Sequence, residues 1–132
     1  MFDVEVHDMD DGHGVCRLVG ELDSFTVPHL HEALAGMRPT SPLIIDLSEV
    51  SFIDSAGLRA LVGRIRCVRE SGGEVAVCSC RPATNRALQL TGFDRFVPVV
   101  ETREEAAELL GRDRELGGQR HADLGGCGAG RQ

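Results

Sequence analysis

The sequence contains no lysine. All fourteen of its basic residues are arginines, and twenty-one carboxylates outnumber them to give a formal net charge of −7. A chain this acidic is not expected to have a general affinity for the phosphates of nucleic acids. The missing lysine also excludes a phosphate-binding loop of the G-x-x-x-x-G-K-[ST] type, in which that side chain reaches the nucleotide. We therefore expect a protein partner and no direct binding of nucleic acid.

Long apolar runs are missing as well. No stretch reaches the roughly 18 uninterrupted apolar residues that a membrane-spanning helix requires. The first residues, MFDVEVHDMDD, are acidic where a signal peptide would be basic and then apolar. We expect a cytoplasmic protein with no membrane partner, and 132 residues with 42% apolar composition suit a single domain.

The cysteines do not follow a metal-binding pattern. Their number is odd and their spacing irregular, and the segment CSC is too tight for the paired Cys-x-x-Cys spacing of a zinc site. Four of the five lie in apolar segments, where a thiol behaves as a small hydrophobic group. We expect free thiols, no metal and no cofactor. The five are Cys16, Cys67, Cys78, Cys80 and Cys127.

The first forty residues predict two strands and a helix. Residues 2–7 alternate apolar and polar side chains, and residues 14–20 form a second β-rich run after a turn-forming segment, which together predict a hairpin. Apolar residues at helical spacing then predict a first helix from Val27 to near Arg38. Thr26 stands where a side chain could cap this helix.

The middle of the chain predicts a buried strand followed by an amphipathic helix. The apolar run at 42–46 is typical of a central strand, and we interpret Asp46 as a strand-end acid that bonds a neighbouring loop and not a partner. From Ser55 onward, apolar residues at steps of three and four predict a second helix, and the SGG segment at 71–73 ends it.

The remaining elements complete an α/β domain over residues 1–110. We predict a strand at 74–79, a helix that begins at Pro82 and ends near Gly92, an edge strand at 95–100 and a last helix ending at Leu110, begun by a capping box of Thr102 and Glu105. The order β-β-α-β-α-β-α-β-α implies a mixed, mostly parallel sheet. Residues 111–132 are rich in glycine and predict a flexible tail.

Ser55 directly follows Asp54, and three roles are open to it. A hydrolase nucleophile would lie in G-x-S-x-G, but Ile53 occupies the first glycine position, and His121 is the only histidine that follows the serine. We therefore expect no enzyme. A helix cap is possible because serine accepts bonds from first-turn amides. A target for a partner's chemistry is the third role, and Gly57 favours it, because a glycine there suggests close approach by another molecule.

Three segments together resemble the STAS domain of bacterial anti-sigma factor antagonists. They are GELDSFTVPHL at 20–30, LIIDLSEVSFIDSAGLRALV at 43–62 and TGFDRFVPV at 91–99. Their combination, in this order and at domain-like spacing, is far more specific than any one of them. The resemblance covers about residues 4–110, and the predicted element order matches the fold of that family.

The resemblance implies a regulatory protein that is not an enzyme. In this family, a partner that is both an anti-sigma factor and an ATP-dependent serine kinase phosphorylates the serine that corresponds to Ser55. The unphosphorylated antagonist binds the anti-sigma factor and so frees a sigma factor for RNA polymerase. The phosphorylated antagonist lets go until a phosphatase resets it.

The resemblance also implies a set of contact residues. Asp23 and Asp54 match the acidic positions that flank the phosphorylation site, although the residues alone leave open that Asp23 is a turn acid or a cap of the first helix. Some family members are sensory-complex or transporter-associated subunits, so a scaffold or assembly subunit that does not switch is the alternative. The presence of Ser55 favours the switch. The implied partner-binding residues are Asp23, Asp54, Ser55, Ala56, Gly57 and Arg59.

Overall fold

A computed structural model describes residues 2–8, 13–36, 42–78 and 81–116. Its strands are β1 (Phe2–Asp8), β2 (Gly14–Leu22), β3 (Leu43–Ile53), β4 (Val75–Cys78) and β5 (Val99–Val100). Its helices are α1 (Val27–Leu34), α2 (Ser55–Glu70), α3 (Pro82–Thr91), α4 (Phe93–Phe96) and α5 (Arg103–Leu116). None of the helices in these ranges is long and apolar enough to cross a membrane.

The five strands form one mixed sheet in the order β1-β2-β3-β4-β5. β1 and β2 pair antiparallel, and each later neighbour pairs parallel. The predicted α/β fold, the hairpin, the central strand and the edge position of the last strand are confirmed. The central position of β3 explains its apolar sequence, because helices cover this part of the sheet on both faces.

The two faces of the sheet carry separate apolar clusters. Side chains of β2 and β3 alternate between them, so that Leu18 and Ile45 lie on one face and Val15 and Ile44 on the other. The larger cluster packs under α1, α2, α3 and α4, and the smaller cluster packs under α5. This arrangement fixes α2, which begins at Ser55, on the larger cluster.

The third helix begins at Pro82 and ends next to Gly92, as predicted, but the predicted start of the last strand is wrong for a local reason. Gly92 ends α3 in the left-handed region with a φ of 81°, and the chain then forms the short helix α4, which buries Phe93. The predicted strand at 95–100 therefore shortens to β5, which begins only after Pro98. Elsewhere, α1 ends at Leu34, earlier than the predicted boundary, and residues 37–41 lie outside the described ranges.

The last helix is longer than the sequence predicts. The capping box at its start is confirmed, since the Glu105 amide donates to Thr102 Oγ1 at 3.0 Å and the Thr102 amide donates to Glu105 Oε1 at 3.1 Å. The helix then continues past Leu110 to Leu116, so the first residues of the predicted tail are helical. The rest of that tail, 117–132, lies outside the described residues.

Among the cysteines that the structure describes, Cys67 differs from the expectation. Cys67 is disulfide-bonded, so the expectation of five free thiols is wrong for this residue. Cys16 is free, both Cys16 and Cys78 are buried, and burial raises the pKa of the Cys16 thiol to about 12. Cys80 and Cys127 lie outside the described residues.

Asp46 ties α5 to the central strand. It does not end β3, which continues to Ile53, and its buried carboxylate accepts bonds from Arg103 Nη2 at 2.9 Å and Nε at 3.2 Å. It also accepts from the Ser48 amide at 2.9 Å. Burial of the carboxylate acts to raise its pKa, but the Ser48 and Arg103 bonds outweigh burial and lower the pKa. The predicted position of Asp46 is therefore wrong, and its bond to a loop is replaced by an ion pair with a helix.

We expect Asp46→Asn to lower the free energy of unfolding at neutral pH by about 1–2 kcal/mol, a range reduced because Arg103 is 41% exposed. Since folding lowers the Asp46 pKa, the stabilisation is complete above the unfolded value of about 3.9 and is lost as pH falls through the folded pKa. Urea titrations at several pH values should show the wild type and the variant converging in acid. Glu49→Gln is the control, because its exposed ion pairs should contribute at most about 1 kcal/mol. If the wild type and Asp46→Asn differ in free energy of unfolding by the same amount down to the lowest pH, this role of Asp46 is contradicted.

Candidate functional site

The C-terminal ends of β2 and β3 bring two loops together. Leu22 and Ile53 are paired at the ends of these parallel strands, and the Asp54 amide donates to the Leu22 carbonyl oxygen at 3.2 Å. The turn that follows β2 begins at Asp23, and α2 begins at Ser55. The turn and the first residues of α2 therefore lie side by side beyond the C-terminal ends of β2 and β3. We call this place, at one end of the sheet, the edge.

Asp54, and not Ser55, caps α2. Asp54 has an extended backbone, and its Oδ1 atom accepts from the Gly57 amide at 2.9 Å. Ser55 is the first helical residue and is exposed. Among the described residues, no hydrogen bond involves its hydroxyl. The interpretation of Ser55 as the cap is therefore wrong, and this hydroxyl is left without a structural task in the described part of the chain.

The close approach expected at Gly57 occurs within the chain itself. Gly57 is buried, and a Cβ atom there would lie 2.8 Å from Leu22 Cγ and would also collide with the Leu22 carbonyl oxygen. The glycine thus lets the first turn of α2 pack directly on the end of β2. No second molecule is needed to explain why this position is glycine.

Asp23 organises the turn between β2 and α1. Its Oδ1 atom accepts from the amides of Phe25 at 3.0 Å and Thr26 at 3.1 Å. Thr26 Oγ1 accepts from the Asp23 amide at 2.9 Å and donates to the Glu21 carbonyl oxygen at 2.9 Å. Asp23 is therefore a turn acid, which is one of the two roles that the sequence left open. Thr26 precedes α1 but makes no side-chain capping bond, because its hydroxyl belongs to this turn.

Two other residues of the implied contact set lie on α2. Ala56 is half-buried, and Arg59 is exposed one helical turn after Ser55. The edge thus brings together Asp23, Asp54, Ser55, Ala56 and Arg59, with Gly57 beneath them. Within the described ranges, no group of three or more His, Cys, Asp or Glu side chains could hold a metal ion. What the edge offers chemically is an exposed hydroxyl.

The family model of the STAS domain matches residues 4–106. The chain belongs to the STAS domain family. That match runs from β1 into α5 and includes both loops of the edge described above.

Curated relatives and a solved structure of the STAS family carry related names. An anti-sigma F factor antagonist of Paenibacillus polymyxa is 31% identical over 100 residues, which cover 73% of this chain and 85% of the relative. An anti-sigma-B factor antagonist of Staphylococcus aureus is 33% identical over 90 residues, which cover 67% and 83%. The crystal structure of an anti-sigma factor antagonist from Mycobacterium paratuberculosis has a TM-score of 0.70 and 33% identity, and covers 83% and 94%.

The edge of this STAS domain also exposes two aromatic side chains that the sequence interpretation missed. Phe25 is 89% exposed at the tip of the turn that Asp23 organises, and Phe52 is 50% exposed near the end of β3. Phe52 pairs with Glu21 across the sheet. The sequence could have indicated both side chains, because a phenylalanine within a turn or next to polar residues at a strand end is not needed to fill the hydrophobic core. Exposed aromatic side chains are frequent anchors of protein interfaces.

Proposed function

We propose that this protein is an anti-sigma factor antagonist that is switched by phosphorylation of Ser55. In its unphosphorylated form it binds an anti-sigma factor that has serine kinase activity, and so frees a sigma factor for transcription. Phosphorylation of Ser55 releases the anti-sigma factor, and a phosphatase restores the starting state. The names of the relatives from Paenibacillus polymyxa and Staphylococcus aureus support the proposed role as an anti-sigma factor antagonist.

The observation that carries the proposal is the position of Ser55. It is exposed at the first residue of α2, while the neighbouring Asp54 performs the capping. A kinase can therefore reach the hydroxyl without breaking a bond that holds the helix. The fold does not depend on Ser55, so its modification can serve as a signal.

The switch residue needs a base from another protein. Asp54 is the carboxylate next to Ser55 in sequence, and its Oδ1 atom is engaged with the Gly57 amide. A serine hydroxyl reacts only when a positioned group takes its proton. We therefore assign the general base to the kinase, and this chain acts as substrate and regulator.

Phosphorylation would change charge more than structure. A phosphate adds about −1.5 to −2 charges, and at the N-terminus of a helix it meets free amides and the positive end of the helix dipole. The fold is expected to remain intact or become slightly firmer. Loss of the partner would then arise at the interface, where a dianion next to Asp54 is costly to desolvate.

Phosphate mapping tests the proposal. The full chain is incubated with ATP and the anti-sigma factor of the same organism that co-purifies with it, and the phosphate is then located by mass spectrometry. We expect one phosphate, on Ser55. Phosphate on Ser48 or Ser51 would overturn the assignment of the switch residue. Stable binding with no phosphate on the chain would instead identify a scaffold that does not switch.

A further inference from the structure

Two arginines follow Ser55 along the exposed face of α2. The buried face of this helix consists of Gly57, Ala60, Leu61, Ile65 and Val68. Arg59 and Arg66 lie four and eleven residues after Ser55, which places the three on the opposite face, and all three are exposed. We call Ser55, Arg59 and Arg66 the α2 strip.

The two arginines of the α2 strip have no acidic partner in the described part of the chain. The arginines that form ion pairs there are Arg17, Arg81 and Arg103. The Arg66 guanidinium carbon lies 6.0 Å from the centre of the Phe96 ring, a contact that leaves its charge uncompensated. In a chain of net charge −7, Arg59 and Arg66 form no ion pair among the described residues and give the middle of this helix face a positive charge, between Asp54 at its start and Glu70 at its end.

We propose that the α2 strip binds an acidic surface of the anti-sigma factor. This inference rests on the proposed function, because a kinase that reaches the Ser55 hydroxyl must cover the first turn of α2. Arg59 lies one turn beyond that point, and Arg66 continues the same line. A partner seated on Ser55 therefore meets both positive charges, and carboxylates at that place are the complementary chemistry.

The position of Arg59 also explains how phosphate releases such a partner. A phosphate on Ser55 precedes Arg59 by four residues, the favourable orientation for an ion pair along a helix. Its charge of about −1.5 to −2 more than offsets the charge of Arg59, whereas Arg66 lies roughly 16 Å further along the helix than Ser55. Phosphorylation thus removes the positive charge nearest to Ser55 and places a negative charge against the partner's carboxylates.

Calorimetric titration with the purified anti-sigma factor tests this inference. The variants are Arg59→Gln, Arg66→Gln and the double variant, and the matched control is Arg86→Gln, which removes an exposed arginine from α3. We expect the double variant to bind about 10–100-fold more weakly at low salt, with the difference shrinking as salt rises. The control is expected to bind like the wild type. Thermal melts of all variants establish that the proteins are folded.

Three results would count against the inference in different ways. If the wild type binds and the double variant binds equally well at every salt concentration, the α2 strip is not a binding surface, while the proposed function stands. If the unphosphorylated wild type binds no anti-sigma factor, the proposed function fails, and the inference that rests on it fails too. A loss of affinity in each single variant equal to that of Arg86→Gln, which removes the same one charge, would show an effect of net charge only and would also overturn it.

Discussion

Replacement of Ser55 by glutamate is expected to weaken binding of the anti-sigma factor about a hundredfold, whereas Ser55→Ala is expected to bind like the unphosphorylated wild type. Glutamate places a permanent negative charge at the first residue of α2, where it faces the partner beside Asp54. Alanine keeps the surface neutral and removes the hydroxyl that the kinase modifies. With ATP present, the alanine variant should therefore stay bound while the wild type is released.

Two controls separate loss of binding from loss of structure. Because the Ser55 hydroxyl makes no hydrogen bond among the described residues, thermal melts of both variants should stay close to that of the wild type. Ser51→Glu adds the same charge at an exposed position on β3 and should bind more tightly than Ser55→Glu. Equal affinity of the alanine and glutamate variants at position 55 would contradict the assignment of Ser55 as the switch.

Gly57→Ala is expected to lower the free energy of unfolding by about 1–3 kcal/mol, although alanine is the better helix former. The added methyl group would collide with the Leu22 side chain and carbonyl oxygen. That carbonyl oxygen also accepts a hydrogen bond from the Asp54 amide. Relief of the collision must move the start of α2 away from the end of β2. Binding of the anti-sigma factor should weaken as well, because this movement displaces Ser55.

Gly63→Ala is the matched control for Gly57→Ala. Gly63 lies in the same helix, and a Cβ atom there meets nothing within 4 Å. The substitution should therefore raise the free energy of unfolding by up to about 1 kcal/mol, the ordinary gain from glycine to alanine in a helix. Urea titrations measure both values. Similar changes in the free energy of unfolding of the two variants would show that the contact with Leu22 is not the reason for glycine at position 57.

The sequence predicted the elements of the fold well because their signals are local. Alternating side chains, a buried apolar run and helical stripes gave the order of strands and helices, and Thr102 with Glu105 gave the start of α5. The ion pair of Asp46 with Arg103 could not be foreseen in this way, since it joins positions far apart in the chain. The same holds for the contact between Gly57 and Leu22.

The candidate site was found from the sequence, but some local roles were not. Aspartate and serine are about equally good helix caps, so the DS pair could not show that Asp54 takes this role and leaves Ser55 unbonded. Asp23 had two possible roles, and only the geometry of its turn distinguished them. Arg59 and Arg66 lie outside the apolar pattern that predicts α2, but only the structure shows that neither forms an ion pair within the described ranges.

One measurement tests the switch most directly. Wild-type protein is prepared in two forms, one fully phosphorylated on Ser55 and one unphosphorylated, and each is titrated calorimetrically with the anti-sigma factor and adenine nucleotide. We predict tight binding of the unphosphorylated form and binding about a hundredfold weaker, or more, for the phosphorylated form, with both forms equally folded in thermal melts. Equal affinity of the two folded forms would contradict a phosphorylation switch at Ser55.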